Sequence, residues 1–428
     1  MTAIGAAVRR ALRCGAARLA HPARAFATLG LALAILAPLA LVVPRNEVHA
    51  APPGAVGGRG GVRDDGGRGG GTLELPGTRK MLPTRTSLGF LNARVPWRFA
   101  FPRDHAAHFG FQSEWWYFTG HVVADDGRRF GYELTFFRYG LRPGDPRPAR
   151  GESGWRGNQV YPVHLAITDE RGQRFVFDER FAREALGMGR ASDRALDVKA
   201  DRWTLRGSSP FVLNAQAERV GVSLVQVAEK APAVHGRGGV SVKGACATCA
   251  SHYYSMTRLR TRGALRYGGR TFRVAGVSWM DHEFGSDELQ RGQVGWDWFS
   301  VQLDDRREIM SYRLRMKDGS VVPESSGSLV DARGGMRYLA RDAVVVGTTG
   351  TWTSPHTGGV YPSGWRVRVP SAGVDATLVP TVLDQELVGT AGGVSYWEGA
   401  VDVRDTASGR RLGVGYVELT GYARAISL

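Results

Sequence analysis

The sequence predicts an all-β protein made of two similar, barrel-sized units. Three observations point there. From about residue 98 onward, short runs of β-formers alternate with Gly/Asp turns. Few windows carry a 3.6-residue apolar period, and only Glu179 to Met188 reads as a short helix. An aromatic hairpin recurs about 180 residues further along the chain. Many strands with little helix point to a sandwich or barrel rather than a bundle or an α/β fold.

The chain of 428 residues opens with a targeting segment, residues 1–50. Arg9, Arg10, Arg13, Arg18 and Arg24 form a basic region ahead of the uncharged run Leu29 to Val43. Val48-His49-Ala50 then offers a small-residue cleavage site. The run is short for a membrane span, which favours a cleaved signal over an anchor. Cys14 precedes the run, which argues against a lipoprotein anchor. The expected location is therefore periplasmic or secreted. Residues 51–97 read as a Gly/Arg-rich flexible linker, with ten glycines between Gly54 and Gly71.

The formal charge of +16 invites a nucleic-acid reading, but its distribution removes it. Residues 1–50 and 51–100 each carry +5, leaving +6 on the rest, where no Lys/Arg run suggests a groove for nucleic acid. The basic linker reads as a solvated tail, with peripheral contact to anionic lipid as the alternative.

In the folded part, Trp115 to Val123 is a strand, Ala124-Asp125-Asp126-Gly127 a turn, and Phe130 to Arg138 the return strand. Tyr161 to Ile167, Phe175 to Phe177, Trp203 to Leu205, Phe211 to Ala217 and Val222 to Val227 continue the rhythm. Trp296-Asp297-Trp298-Phe299 opens a second hairpin that closes at Ser311 to Arg315, and Tyr396-Trp397-Glu398 opens a third. The repeat divides the folded chain into units 98–290 and 291–428, each the size of a small barrel able to hold an apolar ligand. Trp115, Trp116, Tyr117, Trp296 and Trp298 are candidate ligand contacts, with plain core packing as the competing reading.

The segment Ser251 to Ser286 carries the most chemistry. Gly268-Gly269 reads as a two-residue hairpin turn, which sets 258 opposite 279 and 256 opposite 281. Without a bulge, His252, Tyr254, Trp279 and Asp281 then share one face. In an apolar cavity, desolvation would raise the Asp281 pKa toward neutrality and make it a usable acid, while the rings would stabilise a developing cation. A barrel rim with a Tyr–Asp hydrogen bond is the structural alternative. Cys246 and Cys249 read as a local disulfide in an oxidising compartment rather than as metal ligands beside His252. Asp104-His105 with His108 reads as a loop-ordering network. No metal site, nucleophile elbow, phosphate loop or dinucleotide fingerprint is expected.

Several blocks resemble the AttH-like family, also called carotenoid 1,2-hydratase-like or predicted secreted hydrolases. They are Phe101-Pro102-Arg103-Asp104-His105, Glu114-Trp115-Trp116-Tyr117-Phe118-Thr119-Gly120-His121 and Leu134-Thr135-Phe136-Phe137-Arg138. Further on come Asp281-His282-Glu283-Phe284-Gly285-Ser286, Gly295-Trp296-Asp297-Trp298-Phe299, Asp384-Gln385-Glu386-Leu387 and Tyr396-Trp397-Glu398-Gly399. The resemblance spans about residues 100–424. It implies two lipocalin-like (calycin-type) β-barrel domains in tandem and no cofactor. Carotenoid hydratases of this superfamily add water to the terminal double bond of acyclic carotenoids, using a His-x-aromatic pair and an aromatic-x-Asp pair. His252/Tyr254 and Trp279/Asp281 match, with the two aromatics exchanged. The implied mechanism has Asp281 protonate the alkene and His252 position the water that captures the cation. The cysteine pair just before His252 is a departure from the pattern.

Two functional expectations follow. One is an exported hydro-lyase or hydrolase acting on an isoprenoid or lipid. The other is a non-catalytic lipid carrier, or an accessory protein of an ABC-type permease, as exported members resemble.

Overall fold

The computed structural model describes residues 84–144, 153, 155, 157–287, 289–389 and 394–426. The targeting segment, the Gly-rich run and Cys14 lie outside the described residues. All described residues belong to one compact unit.

Among the described residues there is no α-helix, only strands and four short 3-10 turns. All but two of the described strands form two large antiparallel sheets of 13 and 10 strands, each curled into a barrel-like, lipocalin-like body; Thr351–Thr353 and Val360–Pro362 pair separately. Between Asp287 and Gln293 the chain passes from the first to the second. In the first sheet Ser113–Ala124 lies between its hairpin partner Arg129–Gly140 and the long strand Arg270–Asp287, which pairs in turn with Ala250–Tyr267. The second sheet repeats this order. Gln293–Leu303 lies between Glu308–Met316 and Arg411–Thr420, which pairs with Ser395–Asp405.

Alternation decides what each strand buries. Trp116 and Phe118 point into the first barrel with Phe136, Leu165 and Tyr254. Phe299, Val301, Trp365 and Trp397 fill the second. The other face of each central strand meets the opposite sheet. Tyr117, Tyr253 and Trp279 pack there against Trp298, Met310, Tyr312 and Tyr416.

The Gly268-Gly269 turn forms as read, with Tyr267 opposite Arg270. Both glycines have positive φ, 57° and 76°, which a two-residue hairpin of this type requires. Two readings are corrected. Residues 174–183, assigned partly to a helix, form a strand along Gln159–Asp169, and only Ala185–Gly187 makes a 3-10 turn. Ten successive residues find ladder partners on that edge, which outweighs a weak helical period. Residues 84–97, placed in the flexible linker, are packed against the first barrel. Phe90 is fully buried, and the Trp97 ring stacks on His252 with centroids 4.3 Å apart. Its aromatic side chains distinguish this stretch from the Gly-rich run before it.

Candidate functional site

The two sheets enclose a cleft with room for about 100 Å³. A cavity of roughly 150 Å³ holds one benzene ring, so the enclosed part suits a ring or a chain end rather than a whole long isoprenoid. Trp115, Tyr117, Phe137, Tyr253, Asp281 and Glu283 come from the first sheet, and Trp296, Trp298, Tyr312 and Glu418 from the second.

Asp281 is the most perturbed acid in this wall with a full set of donors. Tyr253 Oη donates to Oδ2 at 2.6 Å, and Trp279 Nε1 donates to Oδ1 at 2.6 Å. Ser255 Oγ also donates to Oδ1. Burial raises the carboxyl to about 7, against the pull of these three donors, and nearby Glu283 adds to the rise. Asp281 thus populates both its protonated and ionised forms near neutrality, the condition for a general acid.

Behind it stands a chain of polar groups. His235 Nε2 lies 2.6 Å from Ser255 Oγ, and its Nδ1 lies 2.8 Å from Ser328 Oγ. Burial, with Lys243 adding, lowers His235 to about 3, so the ring is neutral. Tyr253 Oη also accepts from Trp298 Nε1 at 3.0 Å, which links the acid to the second sheet. Lys243 pairs with Glu283 at 2.8 Å. Glu418 accepts from Trp296 Nε1 at 2.7 Å. Burial raises it to about 7, and Asp281 and Glu283 contribute.

His252 and Tyr254 do not join Asp281. The hairpin register is the expected one from the turn up to Leu259 opposite Ser278. A bulge between Met256 and Leu259 then inserts one residue, so that Ser255 rather than Met256 faces Asp281. Every side chain of 251–256 is flipped relative to the unbulged ladder, until a second irregularity between Ala250 and Ser251. Trp279 and Asp281 stay on the cleft face, and Tyr253 and Ser255 replace Tyr254 and His252 beside them.

His252 and Tyr254 enter the first barrel instead. His252 Nδ1 bonds the Gly239 carbonyl at 2.8 Å, and burial lowers the ring to about 4. Tyr254 Oη lies 2.6 Å from His105 Nδ1 and 3.0 Å from His282 Nδ1. His282 Nε2 and His108 Nδ1 both reach Glu114 Oε1, at 2.8 and 2.9 Å, and Arg138 Nε donates to Oε2 at 2.7 Å. Burial opposes ionisation of Glu114, but Arg138, His108 and His282 outweigh it and hold the carboxyl well below its usual range. His108, Glu114 and His282 lie close enough to share one ion. Glu114 is already neutralised by the Arg138 guanidinium, which disfavours a dication there. The Asp104/His105/His108 group belongs to this network.

Trp115, Tyr117, Trp296 and Trp298 line the cleft. Trp116 does not. As the residue between two cleft-facing ones it points into the first barrel, where its Nε1 donates to the His105 carbonyl at 3.0 Å. Cys246 and Cys249 are joined in a disulfide. Sequence reasoning missed Tyr253, Ser255, His235, Lys243, Glu283 and Glu418. The bulge hides the first two. Glu418 had a signal, since it stands opposite Trp298 as Asp281 stands opposite Tyr117.

Comparison with known proteins agrees with this architecture. The AttH-like family profile matches residues 92–422. The crystal structure of an AttH from Nitrosomonas europaea is 32% identical, covers 76% of this chain and 98% of its own, and superposes with a TM-score of 0.67. A kievitone hydratase from Nectria haematococca shares the fold at 13% identity, covering 80% of this chain and 97% of its own with a TM-score of 0.58. No curated protein matches the chain by sequence. With the profile spanning nearly all of both barrels, the chain belongs to the AttH-like family.

Proposed function

We propose that this protein binds one end of an apolar small molecule, an isoprenoid or lipid, in the cleft between its barrels and adds water to a double bond there. The observation that carries the reading is Asp281. It is a buried carboxyl on an aromatic wall, raised to about 7 and held by Tyr253, Ser255 and Trp279. In the forward step the Asp281 proton adds to one alkene carbon and the π electrons form the new C–H bond. The other carbon becomes a cation, and the faces of Trp115, Tyr117 and Trp298 stabilise it. Water then forms the C–O bond and loses a proton. His252 and Tyr254 act from the far face of the sheet as positioning residues, anchoring the strand that carries Tyr253 and Ser255, the donors to Asp281. A kievitone hydratase shares this fold, so the architecture is compatible with water addition.

The same proposal has the chain exported to the periplasm or beyond through residues 1–50 and working on ligand delivered near a permease of the ABC type. The carrier reading draws on the aromatic lining alone. Incubation of the purified protein with geraniol and longer acyclic isoprenoids in H₂¹⁸O separates the two. Labelled alcohol from the wild type, and none from Asp281→Asn with binding retained, is the expected result. Equal turnover by Asp281→Asn removes Asp281 from the mechanism. A co-purified lipid found by native mass spectrometry, with no conversion, makes the protein a carrier.

A further inference from the structure

The two sheets repeat each other, and the repeat gives Asp281 a counterpart. Their strand orders coincide when Ser113–Ala124 is matched to Gln293–Leu303 and Arg270–Asp287 to Arg411–Thr420. The blocks Trp115-Trp116-Tyr117-Phe118 and Trp296-Asp297-Trp298-Phe299 set the register. Tyr117 stands opposite Asp281 in the first sheet, and Trp298 stands opposite Glu418 in the second. One strand further out, Tyr253 faces Glu283 and Tyr396 faces Thr420, so the two tyrosines correspond as well. The duplication sets a carboxyl at the same point of each sheet, and both carboxyls line the same cleft.

We propose that Glu418 is the second acid–base group of this cleft: it takes the proton of the attacking water from the wall opposite Asp281. The inference rests on the reading of Asp281 as the acid. The water oxygen forms the new C–O bond to the cation, its O–H electrons remain on oxygen, and the proton passes to the Glu418 carboxylate. Asp281 ends as carboxylate and Glu418 as acid. Transfer of one proton between them through water in the cleft restores the starting state, so the sum is addition of one H₂O.

The other carboxyls nearby are less suited. Glu283 Oε1 is already engaged by Lys243 at 2.8 Å and by Ser251, so it is not free to receive a proton from water. Glu398 lies beside Glu418 on the next strand and accepts the Tyr117 hydroxyl at 2.7 Å, and Glu133 accepts from Thr135. Neither lines the cleft. Among the described residues, Glu418 has a single side-chain donor, Trp296 Nε1. The titratable groups that act on Glu418 are Asp281, Glu283, Glu398 and Glu133, and Lys243 lines the same cleft. Both Asp281 and Glu418 sit near 7, so loss of the first proton from the pair leaves one acid and one carboxylate, the mixed state that the reaction needs.

The experiment is the pH–rate profile of geraniol hydration by wild type, Asp281→Asn and Glu418→Gln, with product stereochemistry read in D₂O on geraniol carrying one isotopically labelled terminal methyl group. The expected results are a bell-shaped profile, a loss of at least about 100-fold in kcat for Glu418→Gln with probe binding kept, and anti addition. Glu418→Gln within threefold of wild type while Asp281→Asn is inactive overturns this inference and leaves the Asp281 reading standing. Syn addition also overturns it. Absence of hydration by the wild type overturns the functional reading and this inference with it. If Glu418→Gln does not fold, Trp296→Phe removes the donor to the carboxylate and must move the acidic limb of the profile upward. An unmoved limb again overturns the proposal.

Discussion

Replacing Tyr253 by Phe tests whether hydrogen bonding tunes the acid. The variant keeps the ring and deletes one atom, the hydroxyl that donates to Asp281 Oδ2 at 2.6 Å. A hydrogen bond to an ionised carboxylate contributes about 1.5–3 kcal/mol, and 1.36 kcal/mol corresponds to one pH unit. The Asp281 midpoint should therefore rise by roughly 1–2 pH units. Tyr253 lines the cleft, so water can take the place of its hydroxyl and the lower end of that range is expected. Ser255→Ala removes a donor that is fully buried and out of reach of water, so its shift should be the larger one. The assay is the infrared carbonyl band of protonated Asp281, assigned by its loss in Asp281→Asn and followed from pH 4 to 10. A midpoint in Tyr253→Phe that stays put or falls refutes the claim that the phenol stabilises the carboxylate. A larger shift for Tyr253→Phe than for Ser255→Ala refutes the role given to water.

Three further outcomes are expected. Asp281 and Glu418 both titrate higher in the folded chain than in the unfolded one, so their stabilising effect is complete below about pH 4 and is lost as pH rises through 7. Unfolding free energies from urea titrations should fall between pH 5 and 9, by up to roughly 2.5–3 kcal/mol for each group, and Asp281→Asn should flatten the decline. Arg138→Met leaves the buried Glu114 carboxylate without its guanidinium and should cost about 3–5 kcal/mol of stability, seen as a large drop in Tm. Trp97→Ala removes a half-buried ring stacked on His252, and about 2–3 kcal/mol should be lost, less than for a fully buried Trp. An unchanged Tm would return residues 84–97 to the linker.

The fold was legible because it depends on local, periodic information. Alternation of Trp116, Phe118 and Val122 with outward residues, and a Gly-Gly turn that only positive φ permits, each specify structure within a few residues. The site was half legible for the same reason. Asp281 and Trp279 lie on the return strand of a hairpin whose turn sets their face. Beyond the bulge at Thr257 and Arg258, face assignment is no longer local. What accompanies the bulge is a long-range arrangement: Arg258 Nε donates to Glu308 Oε1, and Gln302 Nε2 bonds the Thr257 carbonyl at 2.8 Å, both from the second sheet. Their partners are about 50 residues away. No pattern inside 250–258 announces them.

That dependence has a functional consequence. The residue inserted at the bulge turns Tyr253 and Ser255 toward Asp281, and the second sheet supplies both the groups that hold the bulge and the Trp298 indole that bonds Tyr253. The acid in the first sheet is therefore completed by the second. The His252/Tyr254 motif sits on the strand that makes the turnover from one register to the other, and its aromatic and imidazole anchors in the first barrel fix which face Tyr253 and Ser255 present. A motif can thus govern a site without entering it. Substitutions at His252 should act on the pH midpoint of Asp281 through the placement of Tyr253 and Ser255, rather than on the chemistry of water directly.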